Sequence, residues 1–355
     1  MSKYFLLLAI FSLSLLAISS CKEETKGEEL TQQKVKTRII SPKNGALISK
    51  GDALTLTATF NLNEAKQYLV FVNDSAVTAL PDLKEKIELN LDAAYFKLGK
   101  NKIVLKTEKK AGGFLSDTRT IKVLSNQAPE VLDVEVIRVH PHQTSSYTQG
   151  LEFFDGQLIE GTGQYGASTL QKVDLNTGKI VKQQDLSSQF FGEGITVLNG
   201  SVYQLTWKSK KGFTYDVNTL EKTGEFFYNS EGWGLTNNGE SILMSDGTER
   251  IYFRDPKTFK IIKQIEVYTH KGALSNLNEL EFINGKIYAN LYTTNQIAVI
   301  NPENGIVEQI IDASLLALEY RKTGEVLNGI AYNSSTEKLY LTGKNWPHLL
   351  EVEIK

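Results

Sequence analysis

The sequence predicts an all-β chain, a five-bladed β-propeller preceded by an immunoglobulin-like β-sandwich. Two observations carry this. Short segments with apolar residues at period two recur through the first half with turn residues between them. The second half repeats one strand-turn-strand unit about every 40 to 50 residues, which is the spacing of a propeller blade.

The chain has 355 residues, 41% hydrophobic and 23% charged, enough for one large domain or two. Its formal net charge of -2 offers no basic field to neutralise phosphates and gives no reason to invoke nucleic acid, so no nucleic-acid partner is expected. The single cysteine excludes internal disulfides and cysteine-based zinc sites.

Residues 1–20, "MSKYFLLLAIFSLSLLAISS", read as a signal peptide: Lys3, an apolar run from Tyr4 to Ile18, then small residues. The run falls short of the ~20 residues that cross a bilayer. "ISSC" resembles a bacterial lipobox, which predicts lipidation of Cys21 and a cell-envelope protein touching the membrane only through that anchor. The alternative is a plain secreted protein. Residues 21–34 are charged, lack apolar periodicity and read as a flexible tether.

Residues 35–125 form the predicted sandwich. Its strands are "LTLTATF", "YLVFVN", "KIELNL", "NKIVLKT" and "TRTIKVL". Asp52, Asp74 and Asp82 read as solvated turn residues, and the region reads as a spacer or interaction module. Residues 126–132, with Pro129, read as the linker.

Residues 133–355 form the predicted propeller. Its units start at Gln149, Glu193, Trp233, Asn278 and Asn328. Four are followed by an outer hairpin with Asp or Asn before a short turn. The fifth ends after "HLLEVEI", one strand short, and Asp133 to His140 is expected to supply the missing outer strand and remove the open edge.

Inner strands line a propeller's axis, so their entry residues converge on one face. Gln149, Glu193, Trp233, Asn278 and Asn328 are therefore the site candidates. The next strands add Thr162, Trp207, Asp246, Tyr292 and Lys344. The amides serve equally well as partners for crowded backbone groups. Glu193, walled by Phe191, Trp207 and Trp233, is expected to lose hydration and gain proton affinity. Gly192 and Gly194 are expected to let the backbone turn tightly and bring it inward.

At these residues a resemblance becomes specific. "YTQGL", "EGTGQYGASTL", "FGEGIT", "LTWK", "EGWGLT", "SDGT", "LNELE", "LNGIAY" and "TGKNWP" fall in the order found in plant-type glutamine cyclotransferases, over Val134 to Lys355. The resemblance implies closure of a peptide's N-terminal glutamine into pyroglutamate with release of ammonia. It implies Glu193 as proton carrier, with Lys344 and Asn278 near the substrate amide. Gln149, Phe191, Trp207, Trp233 and Asp246 would complete the pocket. Tyr292 stands where the family has Trp. The implied partners are peptides or proteins with N-terminal Gln, and the expected state is a monomer.

The chemistry requires no cofactor, because one carboxylate can take a proton from the amine and return it to the leaving nitrogen. A structural Ca2+ on the propeller axis is a further expectation, since some family members hold a cation there. Two rivals stand beside the enzyme. One is a metal hydrolase using His140 and His142, with no acidic motif to accompany them. The other is a non-catalytic cell-surface binding propeller.

Overall fold

The computed structural model describes residues 35–77 and 81–355. The signal peptide, the tether and Cys21 lie outside them. Among the described residues no helix is long and apolar enough to cross a membrane.

The N-terminal part packs two sheets face to face. One holds Arg38–Ser41, Leu54–Thr59 and Lys86–Leu91; the other runs in the order Leu47–Ser49, Phe114–Leu124, Gly99–Lys109, Ala65–Val72, Ser75–Ala76. Period-two alternation sends one side of each strand inward, where Leu56, Phe60, Val70, Ile103, Leu105 and Ile121 are fully buried. Each such side chain contributes about 1.5–3 kcal/mol by leaving water. The sandwich abuts the third blade of the second part: the Lys100 backbone N–H donates to Glu266 Oε2 at 2.9 Å.

Among the described residues the second part falls into five units of four strands, three of them separate sheets and two joined into one eight-stranded sheet through Glu130–Pro141. The first four consist of consecutive strands, opening with Thr148–Phe154, Gly192–Leu198, Leu235–Asn237 and Leu277–Ile283. The fifth takes Leu327–Asn333, Lys338–Gly343 and His348–Ile354 and receives its outer strand from Glu130–Pro141. The five opening strands touch one another in a ring, which is the arrangement of a β-propeller.

Glu130–Pro141 does more than close the fifth sheet. Its beginning, Glu130 to Asp133, pairs in parallel with Gln309 to Asp312 of the fourth. The strand thus starts inside the stretch the sequence reads as linker, because an exposed outer edge was available to pair with it.

The repeat reaches into the turns. In the outer hairpins Asp174, Asp216, Asp255 and Asn301 each accept a backbone N–H two or three residues on. Each also gives its own N–H to the residue five positions later. The residue before that acceptor adopts positive φ in all four: Gly178, Leu220, Phe259 and Gly305. Leu220 and Phe259 bear the strain of that conformation because their side chains are buried in the neighbouring core.

Acidic side chains bind the sheets together near the axis. Glu279 occupies the column that is glycine in the other units, and its oxygens accept from Leu151 N and Ile330 N of the first and fifth sheets. Glu152 accepts from Val197 N, and Glu281 from Tyr332 N. Burial raises the proton affinity of all three.

Candidate active site

A β-bulge aims the site residues. Gly192 pairs with Thr206 and Ile195 with Gln204, so Glu193 and Gly194 oppose a single residue, and the extra residue turns the local backbone. The same shift falls at Gln149, at Asn278 with Glu279, and at Asn328 with Gly329. Four of the five entry positions are thus presented to the axis by one repeated irregularity.

The glycines around Glu193 have a different purpose from the tight turn expected of them. Neither has positive φ. A Cβ on Gly194 would lie 2.5 Å from Leu235 N and 2.6 Å from Trp233 O, and one on Gly192 would lie 2.6 Å from Thr162 O. The backbones of adjacent sheets approach too closely for any side chain, which presses Glu193 against its neighbours.

The cavity so formed measures about 180 Å³ and is lined by Tyr147, Gln149, Phe191, Glu193, Trp207, Trp233, Asn278, Tyr292 and Lys344. That is below the ~300–1,000 Å³ of sites for drug-sized ligands, and suits one residue rather than a peptide. Its walls are aromatic. Phe191 meets Trp207 edge-on with centroids 5.7 Å apart, and Trp233 meets Tyr292 at 5.4 Å.

Glu193 is buried, and among the described residues no hydrogen bond reaches its carboxyl. Burial pushes its pKa well above the usual carboxylate value; Lys344 pulls part of the way back and Glu231 adds to the rise. Lys344 is also buried and makes no salt bridge among the described residues. Its ammonium lies 4.7 Å from the ring centroid of Tyr147 and 5.0 Å from that of Tyr292, a cation held between two π faces. Burial lowers its pKa against the pull of Glu193 and Glu325.

The loop bearing Lys344 is pinned from several sides. Trp346 is fully buried and its Nε1 donates to Glu325 O at 2.9 Å. Lys344 N donates to Val326 O, and Asn345 N to Ser146 O. His142 Nδ1 bonds Trp346 O at 2.8 Å while its Nε2 meets Glu160 at 3.1 Å. Burial alone would lower the pKa of His142, but the charge and hydrogen bond of Glu160, with the Trp346 carbonyl, outweigh it and the net shift is upward.

The amides divide their bonds between wall and cavity. Asn328 Nδ2 donates to Gln149 Oε1 at 3.1 Å, which leaves the Gln149 NH2 for the cavity. Asn278 Oδ1 is buried without a hydrogen-bond partner among the described residues, an acceptor not spent on them.

The structure therefore gathers eight of the nine catalytic and pocket residues named from sequence. Asp246 is the exception. Its carboxylate accepts from Thr248 N at 3.1 Å and Tyr252 Oη at 2.9 Å and does not line the cavity. The turn it builds places Gly247 so close to Trp233 that a Cβ there would lie 2.6 Å from the indole, so it backs the wall from behind. Thr162 is likewise spent on Thr169, at 2.7 Å.

Two side chains at the cavity were not named from sequence. Tyr147 lines the cavity two residues before Gln149, its "YTQGL" spacing being the available signal. Glu231 stands just before Trp233 in "EGWG" and accepts from both wall indoles.

The acidic side chains nearest the axis do not form a cage for the expected axial Ca2+. The oxygens of Glu152, Glu279 and Glu281 face backbone N–H donors, the reverse of a cation cage. Among the described residues no group of three or more His, Cys, Asp or Glu is placed to hold a metal ion. His140 and His142 turn to different acids, Glu351 at 3.6 Å and Glu160 at 3.1 Å, and form no ligand pair.

A propeller with a buried acid and a buried lysine in an aromatic cavity defines a class, and comparison gives the family. The glutamine cyclotransferase family model matches residues 110–354. Over 229 residues the chain is 38% identical to a glutaminyl-peptide cyclotransferase of Arabidopsis thaliana, covering 63% of this chain and 72% of that protein. The crystal structure of Myxococcus xanthus glutaminyl cyclase superposes with a TM-score of 0.61 at 32% identity, covering 64% of this chain and 98% of that one. The chain belongs to the glutamine cyclotransferase family. The family match reaches upstream of the motif resemblance and takes in the last strand of the sandwich, Phe114–Leu124.

Proposed function

We propose that this chain is a glutaminyl-peptide cyclotransferase, converting the N-terminal glutamine of peptides to pyroglutamate with release of ammonia. The observation that carries the reading is Glu193, an acid with raised proton affinity and, among the described residues, no hydrogen-bond partner, in a cavity the size of one residue.

The α-amine, as the free base, attacks its own side-chain Cδ. The N–Cδ bond forms and the carbonyl oxygen gains negative charge. Glu193 takes a proton from the attacking nitrogen and delivers it to the amide nitrogen; the Cδ–N bond then breaks and NH3 leaves. One carboxyl suffices because it ends as it began. Lys344 supplies the charge that stabilises the oxyanion. Nucleophile and electrophile belong to one residue, so the aromatic walls need only hold the side chain folded back on its amine. The transfer is of an acyl group to the substrate's own amine, which makes the enzyme an aminoacyltransferase.

The same reading places the protein in the cell envelope, tethered through lipid on Cys21, with a secreted form as the alternative. It assigns the sandwich as an immunoglobulin-like spacer or interaction module and the working unit as a monomer. Mass spectrometry of the N-terminal peptide from purified membranes tests the anchor.

The catalytic test is direct. Residues 35–355 incubated with a Gln-initiated dipeptide should release ammonium in step with a product lighter by one ammonia. Saturable binding of the dipeptide without ammonium release would instead make the chain a binding propeller.

A further inference from the structure

We infer that Glu231 is the positioning residue of this site, a single carboxylate that latches the two tryptophan walls to each other and sets the gap in which the glutaminyl side chain folds. The inference rests on the function proposed above.

The two indoles come from different blades. Trp207 follows the second strand of the second blade, and Trp233 precedes the opening strand of the third. Glu231 joins the two rings: its Oε2 accepts from Trp207 Nε1 at 2.9 Å and from Trp233 Nε1 at 3.0 Å. An indole nitrogen is a donor only, so each bond also selects which edge of the ring faces the cavity. Both bonds are made to a charged acceptor, the stronger kind.

The carboxylate is itself held. Gly232 N donates to Trp207 O at 2.9 Å. A Cβ on Gly232 would lie 2.6 Å from Tyr228 Oη and 2.8 Å from Thr206 O, so the segment bearing Glu231 is seated directly on the second blade. Trp233 then meets Tyr292 edge-on, and Tyr292 lies under the Lys344 ammonium. Through these contacts the latch bears on both the aromatic walls and the cation. Its charge also acts on Glu193, whose proton affinity it raises.

Two variants separate the roles. Glu231→Leu removes the latch and the charge. Glu231→Gln keeps an oxygen able to accept both indoles and removes only the charge. The chain has three tryptophans, and the third, Trp346, is fully buried elsewhere, so emission and acrylamide quenching report chiefly on the latched pair.

Glu231→Leu should increase quenching and lower kcat/KM on a Gln-dipeptide by about 10²-fold, the cost of misplacing a reacting group by about 1 Å. Glu231→Gln should leave quenching near the wild-type level. It should also move the enzyme-borne limb of the kcat/KM pH profile to lower pH, because a like charge beside Glu193 is gone. A purely structural glutamate would not move that limb.

Thermal melts check that each variant is folded. Unchanged quenching and kcat/KM in Glu231→Leu, or an unshifted limb in Glu231→Gln, overturns the inference while wild-type turnover stands. An inactive wild type whose quenching still rises in Glu231→Leu overturns the proposed function and leaves the latch.

Discussion

Gly194→Ala tests the idea that close backbone approach places Glu193. The added Cβ would lie 2.5 Å from Leu235 N and 2.6 Å from Trp233 O. Ordinary carbon contacts need ~3.5–4.0 Å, so the second and third blades must part by about 1 Å. Both opposing atoms are backbone, and neither can turn aside. Overpacking of this kind costs about 1–3 kcal/mol, or several degrees of melting temperature in a domain of this size. Activity should suffer more than stability, since about 1 Å of misplacement can cost about 10²-fold in rate. Gly194 N also donates to Trp233 O at 2.8 Å, so separation weakens the bond between the acid's strand and the wall. The assay pairs urea unfolding with kcat/KM on a Gln-dipeptide. Gly224→Ala, whose Cβ meets only the side-chain hydroxyl of Thr214, is the control and should change little. Wild-type stability and turnover in Gly194→Ala would refute the reasoning.

Further expectations follow from the same geometry. Lys344→Met should lower kcat by about 10²–10³-fold if its ammonium stabilises the oxyanion, and should move the Glu193 limb of the pH profile upward, since Lys344 holds that pKa down; steady-state kinetics across pH reads both. Trp346→Ala should destabilise the protein by about 3–5 kcal/mol, measured by urea unfolding, because it empties a fully buried site under the Lys344 loop. His142 binds its proton more tightly in the fold than the ordinary value of 6.5. Its contribution is therefore complete below that value and lost as pH rises through the folded one. Glu152, Glu279 and Glu281 have the same sign, so thermal melts should show lower stability at pH 9 than at pH 6, and less of a difference in His142→Gln.

What the sequence revealed follows from what repetition can encode. The blades were legible because each unit repeats its apolar period and its Asp or Asn turn, down to the bonds of Asp174, Asp216, Asp255 and Asn301. The entry column gave Gln149, Glu193, Trp233 and Asn278 because inner strands converge wherever a ring closes. The bulges that aim them left no mark, since a register shift is a property of two strands at once. Asp246 was assigned to the mouth by column, but Thr248 and Tyr252 lie within its reach and compete for its oxygens. Glu231 escaped because its partners lie 24 and two residues away, and only the fold brings both indoles to one oxygen. The glycines were noticed for the wrong reason: a missing Cβ serves a turn or a close approach equally well, and sequence does not distinguish them.

The central claim is that Glu193 carries the proton. The measurement is ammonium release from a Gln-initiated dipeptide by Glu193→Gln, beside the wild type, with folding checked by thermal melting. The account predicts a loss of about 10²–10⁴-fold with the fold intact, the contribution typical of a positioned acid-base group. Release by the amide variant at a rate close to that of the wild type would contradict it.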